Sequence, residues 1–129
     1  MTLPAATAAC LAAAPAESRE GLAALRGLVL AVAGEAGIAL REETRWGQPA
    51  FLASKGTTIR IGVPRGAAFA LFVPCQTRLI DEFRAGPGAG MRFEGTRAVL
   101  FDRVDDIDKA ALAILILGAL RYHAGGRAK

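Results

Sequence analysis

The stretch from Arg41 to Phe51 divides the chain into two parts with different hydrophobic patterns. Before it the sequence is rich in Ala and Leu, and apolar residues recur at the spacing of an α-helix. After it, short apolar runs alternate with turns that contain Gly and Pro, as they do in sheets. The stretch also contains Trp46, the only Trp of the chain, next to Gly47 and near Pro49. The fold must therefore join a helical part to a sheet.

Two helices are predicted in the first part. A short helix begins near Thr2 and runs to about Ala13, because a Thr cap and an early Pro are typical of helix starts. The clearest helix of the chain runs from Glu17 to Ala36, and we expect its one apolar stripe to face the core. The members of this stripe are Leu22, Leu25, Val29, Val32, Ala33 and Ala36.

Strands are predicted after the long helix. The segment from Ile38 to Arg45 is expected to be short and extended, and Pro49 to Leu52 is predicted to be an edge strand, since Pro has no N–H to donate. Thr57 to Val63 alternates in polarity, whereas Ala67 to Val73 is apolar on both faces, which favours a central position. Short turns connect these segments, so we expect an antiparallel meander.

The rest of the chain adds a helix, two strands and a last helix. The first of these helices is predicted over Gln76 to Ala85, and the strands over Met91 to Phe93 and Thr96 to Phe101. The resulting order is α-α-β-β-β-α-β-β-α. It predicts a single α+β domain over residues 1–129, with one antiparallel sheet of about five strands packed against helices.

The last helix is apolar around most of its circumference. Asp105 or Asp106 is predicted to cap its start, and Gly125-Gly126 to end it. From Leu112 to Leu120 every residue is apolar or Gly, although a helix that lies on a sheet needs only one buried stripe. Either this helix is buried between the sheet and the long helix, or a second copy of the chain covers it in a homodimer. The sequence leaves both alternatives open.

Composition and charge narrow the choice of partners. The formal net charge is +4 at pH 7, but the Arg residues are spread along the chain, which does not favour a nucleic-acid surface. No apolar run approaches the ~20 residues of a membrane span. A secretory signal normally begins with positively charged residues, whereas no Lys or Arg precedes the apolar N-terminal segment here. Cys10 and Cys75 are far apart and are expected to be reduced thiols. We therefore expect a cytoplasmic protein without a membrane partner.

Few residues are of the types that carry catalysis or bind metals. The chain has one His, and the acidic run from Asp102 to Asp108 is better explained as a helix cap than as a cation site, because no Gly-containing calcium loop accompanies it. Cys75 could act as a nucleophile with His123 as its base, but no third, orienting residue can be named. Accordingly, no catalytic residue, metal ligand or cofactor is predicted.

Trp46 has two interpretations. An aromatic pair beside an amide can line a ligand pocket, and Arg60 could add charge, since it faces away from Ile59 and Ile61. Alternatively, Trp46 fills the seam between the long helix and the sheet, and Trp46→Ala should then lower stability by about 3–5 kcal/mol. The predicted ligand-binding residues are Trp46, Gln48, Pro49, Phe51, Arg60 and Cys75.

Several segments together resemble the YdhG-like family of domains of unknown function. They are Leu25-Arg26-Gly27-Leu28 in a helix, then Glu43, then Trp46-Gly47-Gln48-Pro49-Ala50-Phe51, then Arg92-Phe93 and Val99-Leu100-Phe101. With the terminal helix, the resemblance covers nearly the whole chain. It implies an α+β domain with a curved sheet, and one branch of the family is described as a frataxin-like iron chaperone.

Three functions remain as alternatives. The first, which we prefer, is a non-enzymatic cytoplasmic module that binds a small ligand or a peptide in a pocket beside the Trp46 motif. The second, implied by the resemblance, is an iron-binding chaperone. The third is an enzyme that depends on Cys75. The acidic residues of the second alternative would be Glu42, Glu43, Asp102, Asp105 and Asp106.

Overall fold

The computed structural model describes residues 3–123, in which helices precede, separate and follow the strands. In chain order the elements are α1 (Ala5–Ala13), α2 (Ala16–Ala36), β1 (Arg41–Arg45), β2 (Gln48–Leu52), β3 (Ile59–Gly62), β4 (Phe69–Phe72), α3 (Leu79–Ala85), β5 (Arg92–Glu94), β6 (Ala98–Phe101) and α4 (Lys109–Leu120). A 3-10 helix, Val104–Asp106, precedes α4. The predicted α+β class is confirmed. The predicted cap at Thr2 and the helix end at Gly125-Gly126 lie outside the described residues.

Within the described residues, six strands form one antiparallel sheet in the order β1-β2-β3-β4-β6-β5. β1 to β4 follow one another as a meander, and the segment that contains α3 then leads to the far edge, where β5 lies outside β6. β4 has the interior position predicted from its two apolar faces. The sheet is uncurled, whereas the resemblance implied a curved one.

The polar segment Arg41–Arg45 is a full strand, so the sheet has six strands rather than about five. It pairs along its length with β2, where Thr44 lies opposite Pro49. The prediction that Pro49 lies in an edge strand is wrong, because β1 and β3 flank β2. The ladder to β3 includes Ala50 and Phe51 and stops before Pro49, whose nitrogen has no hydrogen to donate.

One face of the sheet packs against the helices and forms the core. α2 contributes Leu25 and Val29, and α4 lies against α2 and contributes Leu112, all of them fully buried. The strands contribute alternate residues to this face, as the spacing of Ile59 and Ile61 predicts. The strand residues of this core are Phe51, Ile59, Ile61, Phe69, Leu71, Val99 and Phe101.

The rest of the chain covers most of α4. Six of its twelve residues are buried, among them Leu115 and Ile116, and α2 and α3 are its helical neighbours. Of its large apolar residues, Ile114 is the most exposed, at 58%. Packing within the chain therefore accounts for much of its apolar surface, and the homodimer stays a prediction. No helix in the described part of the chain is long and apolar enough to cross a membrane.

The start of α4 lies slightly later than predicted. Its cap is Asp108, whose Oδ1 accepts a hydrogen bond from the backbone N of Ala111 at 3.1 Å. Asp106 instead accepts one from the backbone N of Arg103 at 3.0 Å and belongs to the 3-10 helix. Several Asp residues close together can each serve as a cap, so the sequence alone does not show which one does.

Candidate functional site

A two-residue turn, Trp46-Gly47, joins β1 to β2 and projects the indole ring into solvent. Its φ angles are 52° and 74°, and Arg45 pairs with Gln48 across it. Two positive φ angles define a type I′ turn, which favours Asn, Asp or Gly at its first position and is strained for a bulky side chain. Trp46 is 83% exposed. The interpretation that it fills the seam between α2 and the sheet is therefore wrong, because the turn places it beyond the last strand pair.

The sheet face opposite the helices carries the candidate site. Its buried cluster consists of Ala70, Phe72 and Ala98, with Leu100 packed against them, and includes no helix residue of the described chain. Small alanines leave space above the strands, so longer side chains from neighbouring positions can lie across them. Two Arg side chains do so at Phe72.

Arg60 is the charged residue near the centre of this face. Its Cζ lies 4.9 Å from the centroid of the Trp46 ring and 5.2 Å from that of Phe72. Its Nη1 donates a hydrogen bond to Oε1 of Gln48. Burial lowers the pKa of Arg60, and the positive charge of Arg97 lowers it further, although an Arg side chain remains protonated in proteins. Two aromatic rings and an amide thus orient this guanidinium.

A cleft of about 330 Å³ opens beside Arg60. Arg45 borders it and pairs through Nε with Glu43 at 2.9 Å, and Arg97 borders it and lies 3.6 Å from Glu94. No carboxylate of residues 3–123 forms an ion pair with Arg60, and no lining residue is acidic. The lining residues are Arg45, Trp46, Thr58, Arg60, Val73, Pro74, Cys75, Gln76 and Arg97. The cleft therefore has an excess of positive charge.

Three predicted ligand-binding residues, Trp46, Arg60 and Cys75, line this cleft. Gln48 and Pro49 do not line it, but both border a second cleft of about 340 Å³ near the end of α1. Trp46 borders both clefts. The structure thus brings together three of the predicted residues and places two others close by, with Gln48 holding Arg60 from the neighbouring strand.

Phe51 lies away from both clefts. It is fully buried on the face covered by helices and pairs with Ile59 of β3. Alternation along β2 puts Ala50, not Phe51, on the face of Arg60. Two neighbouring apolar residues of a strand point to opposite faces of the sheet. Which of them points to the core is not known until the strand register is known.

Sequence reasoning missed Arg45 and Arg97. Arg45 borders the cleft because the two-residue turn puts it opposite Gln48, and a residue-Gly pair between two extended segments is the signal that could have found it. Arg97 has no comparable signal. It precedes β6, and its carbonyl accepts a hydrogen bond from the backbone N of Val73 at 2.9 Å, so its position depends on the sheet order.

Cys75 is exposed at the cleft, but His123, the base suggested for it, is not a lining residue. The backbone N of His123 donates to the carbonyl of Lys55 at 2.7 Å. The lining contains no His, Asp or Glu that could take a proton from the thiol. The structure therefore does not assemble the pair of Cys75 and His123 in this cleft.

Four of the five acidic residues suggested for iron binding pair with Arg side chains, and the fifth, Asp106, accepts backbone hydrogen bonds. Glu42 also accepts a hydrogen bond from Thr7 at 2.8 Å. In residues 3–123, no three His, Cys, Asp or Glu side chains are grouped closely enough to hold a metal ion. The Arg partners of Glu42, Glu43, Asp102 and Asp105 are Arg26, Arg45, Arg92 and Arg103, respectively.

Comparison with known proteins gives no match, since no family model fits the chain and no curated protein or solved structure is significantly similar to it. The resemblance to the YdhG-like family therefore stays a prediction that rests on the motifs quoted above.

Proposed function

We propose that this protein is a non-enzymatic binding module and that it holds a small anionic ligand in the cleft beside Trp46. The observation that carries the proposal is the state of Arg60. Its guanidinium is partly buried, is oriented by Trp46, Phe72 and Gln48, and has no acidic partner among the described residues. A partly buried charge without a counter-charge is costly, and an anion that enters the cleft would relieve this cost.

The neighbouring charges favour the same ligand. Arg45 and Arg97 border the cleft, and each has one carboxylate partner at the surface. Three guanidiniums thus face two carboxylates, so the surroundings of the cleft keep a formal charge of +1. A guanidinium binds a carboxylate or a phosphate through two parallel hydrogen bonds, which gives both affinity and direction.

The polar groups of the cleft suit binding better than catalysis. Thr58 and Gln76 can donate or accept hydrogen bonds, whereas no His, Asp or Glu that could act as a general acid or base lines the cleft. An enzyme that used this thiol would need a proton acceptor beside it. We therefore prefer the binding module to the Cys-dependent enzyme and to the iron chaperone.

The fluorescence of Trp46 offers a direct test, because it is the only Trp of the chain and borders the cleft. Inorganic phosphate, ribose 5-phosphate and citrate are titrated separately at low ionic strength. We expect at least one of them to give a saturable change. Arg60→Gln should weaken that binding by about 10-fold or more, since a hydrogen bond to a charged group contributes about 1.5–3 kcal/mol.

The matched control is Arg65→Gln, which removes the same charge from an exposed turn outside the cleft. It should leave the affinity nearly unchanged, apart from a small loss of long-range attraction. Equal weakening by Arg60→Gln and Arg65→Gln would show that the anions respond to the net charge of the protein and not to this cleft. A titration without saturation for all three anions would refute the proposal.

A further inference from the structure

Trp46 combines backbone strain with exposure, and packing explains neither. Its φ of 52° lies in the left-handed region, which disfavours side chains with a Cβ and is an outlier for a bulky residue. Its side chain is 83% exposed, so burial does not offset the strain. Strained residues that packing does not account for are concentrated at functional sites. The position of this indole therefore calls for a ligand-based explanation.

The indole is held as a flat platform at the edge of the cleft. Arg60 lies over its ring at 4.9 Å and also over the Phe72 ring at 5.2 Å. This arrangement limits the orientations of the indole from one side, while most of its surface remains open to solvent. An exposed aromatic ring of this kind is the group on which proteins stack planar ligands.

The charges next to this platform suit a phosphate better than a carboxylate. The guanidiniums of Arg60 and Arg97 both lie over the Phe72 ring, at 5.2 and 5.7 Å from its centroid. Two positive groups therefore converge on Phe72, in the cleft that Trp46 borders. A phosphate monoester carries a charge of about −1.5 to −2 and three acceptor oxygens, enough for both guanidiniums, whereas a carboxylate has one charge and two oxygens.

We propose that the ligand is a small phosphate ester with a planar aromatic ring, the chemical class of the mononucleotides. Its ring stacks on Trp46, and its phosphate binds Arg60 and Arg97. This inference rests on the proposed function and makes it more specific. Because Arg60 lies over one face of the indole, the ring of the ligand stacks on the other face, and a short linker such as a sugar joins it to the phosphate.

Isothermal titration of the whole protein tests the ring and the phosphate separately. The probes are adenosine and uridine 5′-monophosphates, ribose 5-phosphate, and adenosine. We expect at least one mononucleotide to bind on the order of 10- to 100-fold more tightly than ribose 5-phosphate, which is the effect of stacking one base on an aromatic side chain. Adenosine, which lacks the phosphate, should bind more weakly than that mononucleotide.

Two variants assign these effects to residues. Trp46→Ala should weaken binding of the mononucleotide on the order of 10- to 100-fold more than binding of ribose 5-phosphate, whose smaller loss comes only from the missing contact between the indole and Arg60. Arg60→Gln should weaken both. Because Trp46 is exposed, the Ala variant is expected to fold, and a melting curve checks this before the titration.

The outcomes separate this inference from the proposed function. If both mononucleotides bind no better than ribose 5-phosphate, or if Trp46→Ala weakens all phosphates equally, the aromatic ligand is refuted while the anion cleft stands. If neither these phosphates nor the citrate of the fluorescence titration binds, both proposals fail. A ten-nucleotide single strand of thymidylate serves as a further arm. Binding far tighter than that of either mononucleotide, with a steep dependence on salt, would show that the ligand is a nucleic acid and overturn the assignment to a small molecule.

Discussion

Arg26 on α2 and Glu42 on β1 form a two-pronged ion pair, with Nε to Oε2 at 2.8 Å and Nη2 to Oε1 at 2.9 Å. Their side chains are only 13% and 8% exposed. Thr7 on α1 donates a hydrogen bond to the same carboxylate at 2.8 Å. One buried carboxylate thus connects both N-terminal helices to the first strand, although β1 itself contributes little apolar surface to the core.

We expect Glu42→Ala to lower the free energy of unfolding by about 3–5 kcal/mol, because it removes the carboxylate from an ion pair whose two side chains are mostly buried. Urea unfolding measures the loss. The control is Glu43→Ala on the opposite face of the same strand, where the pairs with Arg41 and Arg45 are exposed, and its effect should stay within about 1 kcal/mol. Equal losses in the two variants would show that the Arg26–Glu42 pair has no special role.

The same pair predicts how stability depends on pH. Burial raises the pKa of Glu42, but hydrogen bonds from Arg26 and Thr7 and the charge of Arg26 outweigh burial, so its pKa lies below the usual value. In the unfolded chain a Glu has a pKa of about 4.3. The contribution of Glu42 is therefore complete above that value and is lost as the pH falls through the lower, folded pKa.

As far as Glu42 is concerned, we expect the urea concentration at the unfolding midpoint to be constant between about pH 7 and pH 5. At pH values below roughly 4 it should decrease. The double variant Arg26→Met/Glu42→Leu removes the titrating pair and fills its space with apolar groups, which is often neutral or stabilising. The urea midpoint of the double variant should decrease less than that of the unchanged protein as the pH is lowered. An identical acid response in the double variant and the unchanged protein would exclude Glu42 as a source of the pH dependence.

Two glycines of α2 offer a matched pair for a packing test. A Cβ on Gly21 would lie 2.1 Å from a ring carbon of Phe69, whereas a Cβ on Gly27 would meet nothing within 4 Å. Gly21→Ala should therefore destabilise the fold by about 1–3 kcal/mol through overpacking. Gly27→Ala should stabilise it by about 0.5–1 kcal/mol, because Ala is the better helix former. Thermal unfolding with opposite shifts in melting temperature is the expected result, and shifts of the same sign would contradict it.

The sequence predicted those elements in which apolar spacing is regular. Leu25 and Val29 in α2, and Ile59 and Ile61 in β3, recur at the periods of a buried helix and a half-buried strand, and all four are buried. The predicted number of strands does not include β1, because its residues, Arg41–Arg45, are polar throughout. It joins the sheet through backbone pairing and the Glu42 ion pair, neither of which leaves a hydrophobic pattern.

The candidate site was harder to predict than the fold for a geometric reason. Trp46 is a predicted ligand-binding residue that borders the cleft, but whether it is buried depends on the turn that carries it. Phe51 was placed in the site although its strand register directs it to the core. Arg97 reaches the site only because β6 is inserted between β4 and β5. Sites assembled from several strands depend on register and strand order, which local patterns do not encode.

The last prediction concerns the stability cost of placing a Trp at the first position of this turn. Asn is favoured there, so Trp46→Asn should relieve about 1–2 kcal/mol of left-handed strain and lose about 0.5–1 kcal/mol of contact with Arg60. We expect a net gain in stability of less than about 1.5 kcal/mol. Trp46→Ala keeps much of the strain and loses the contact, so it should be less stable than the unchanged protein, by about 1 kcal/mol or less. Thermal melting should therefore rank the three side chains Asn, Trp and Ala in decreasing order of stability. A loss of 3 kcal/mol or more in the Ala variant would mean that the indole is packed in solution. If the unchanged protein is more stable than Trp46→Asn, the turn is not strained, and no ligand is needed to explain it.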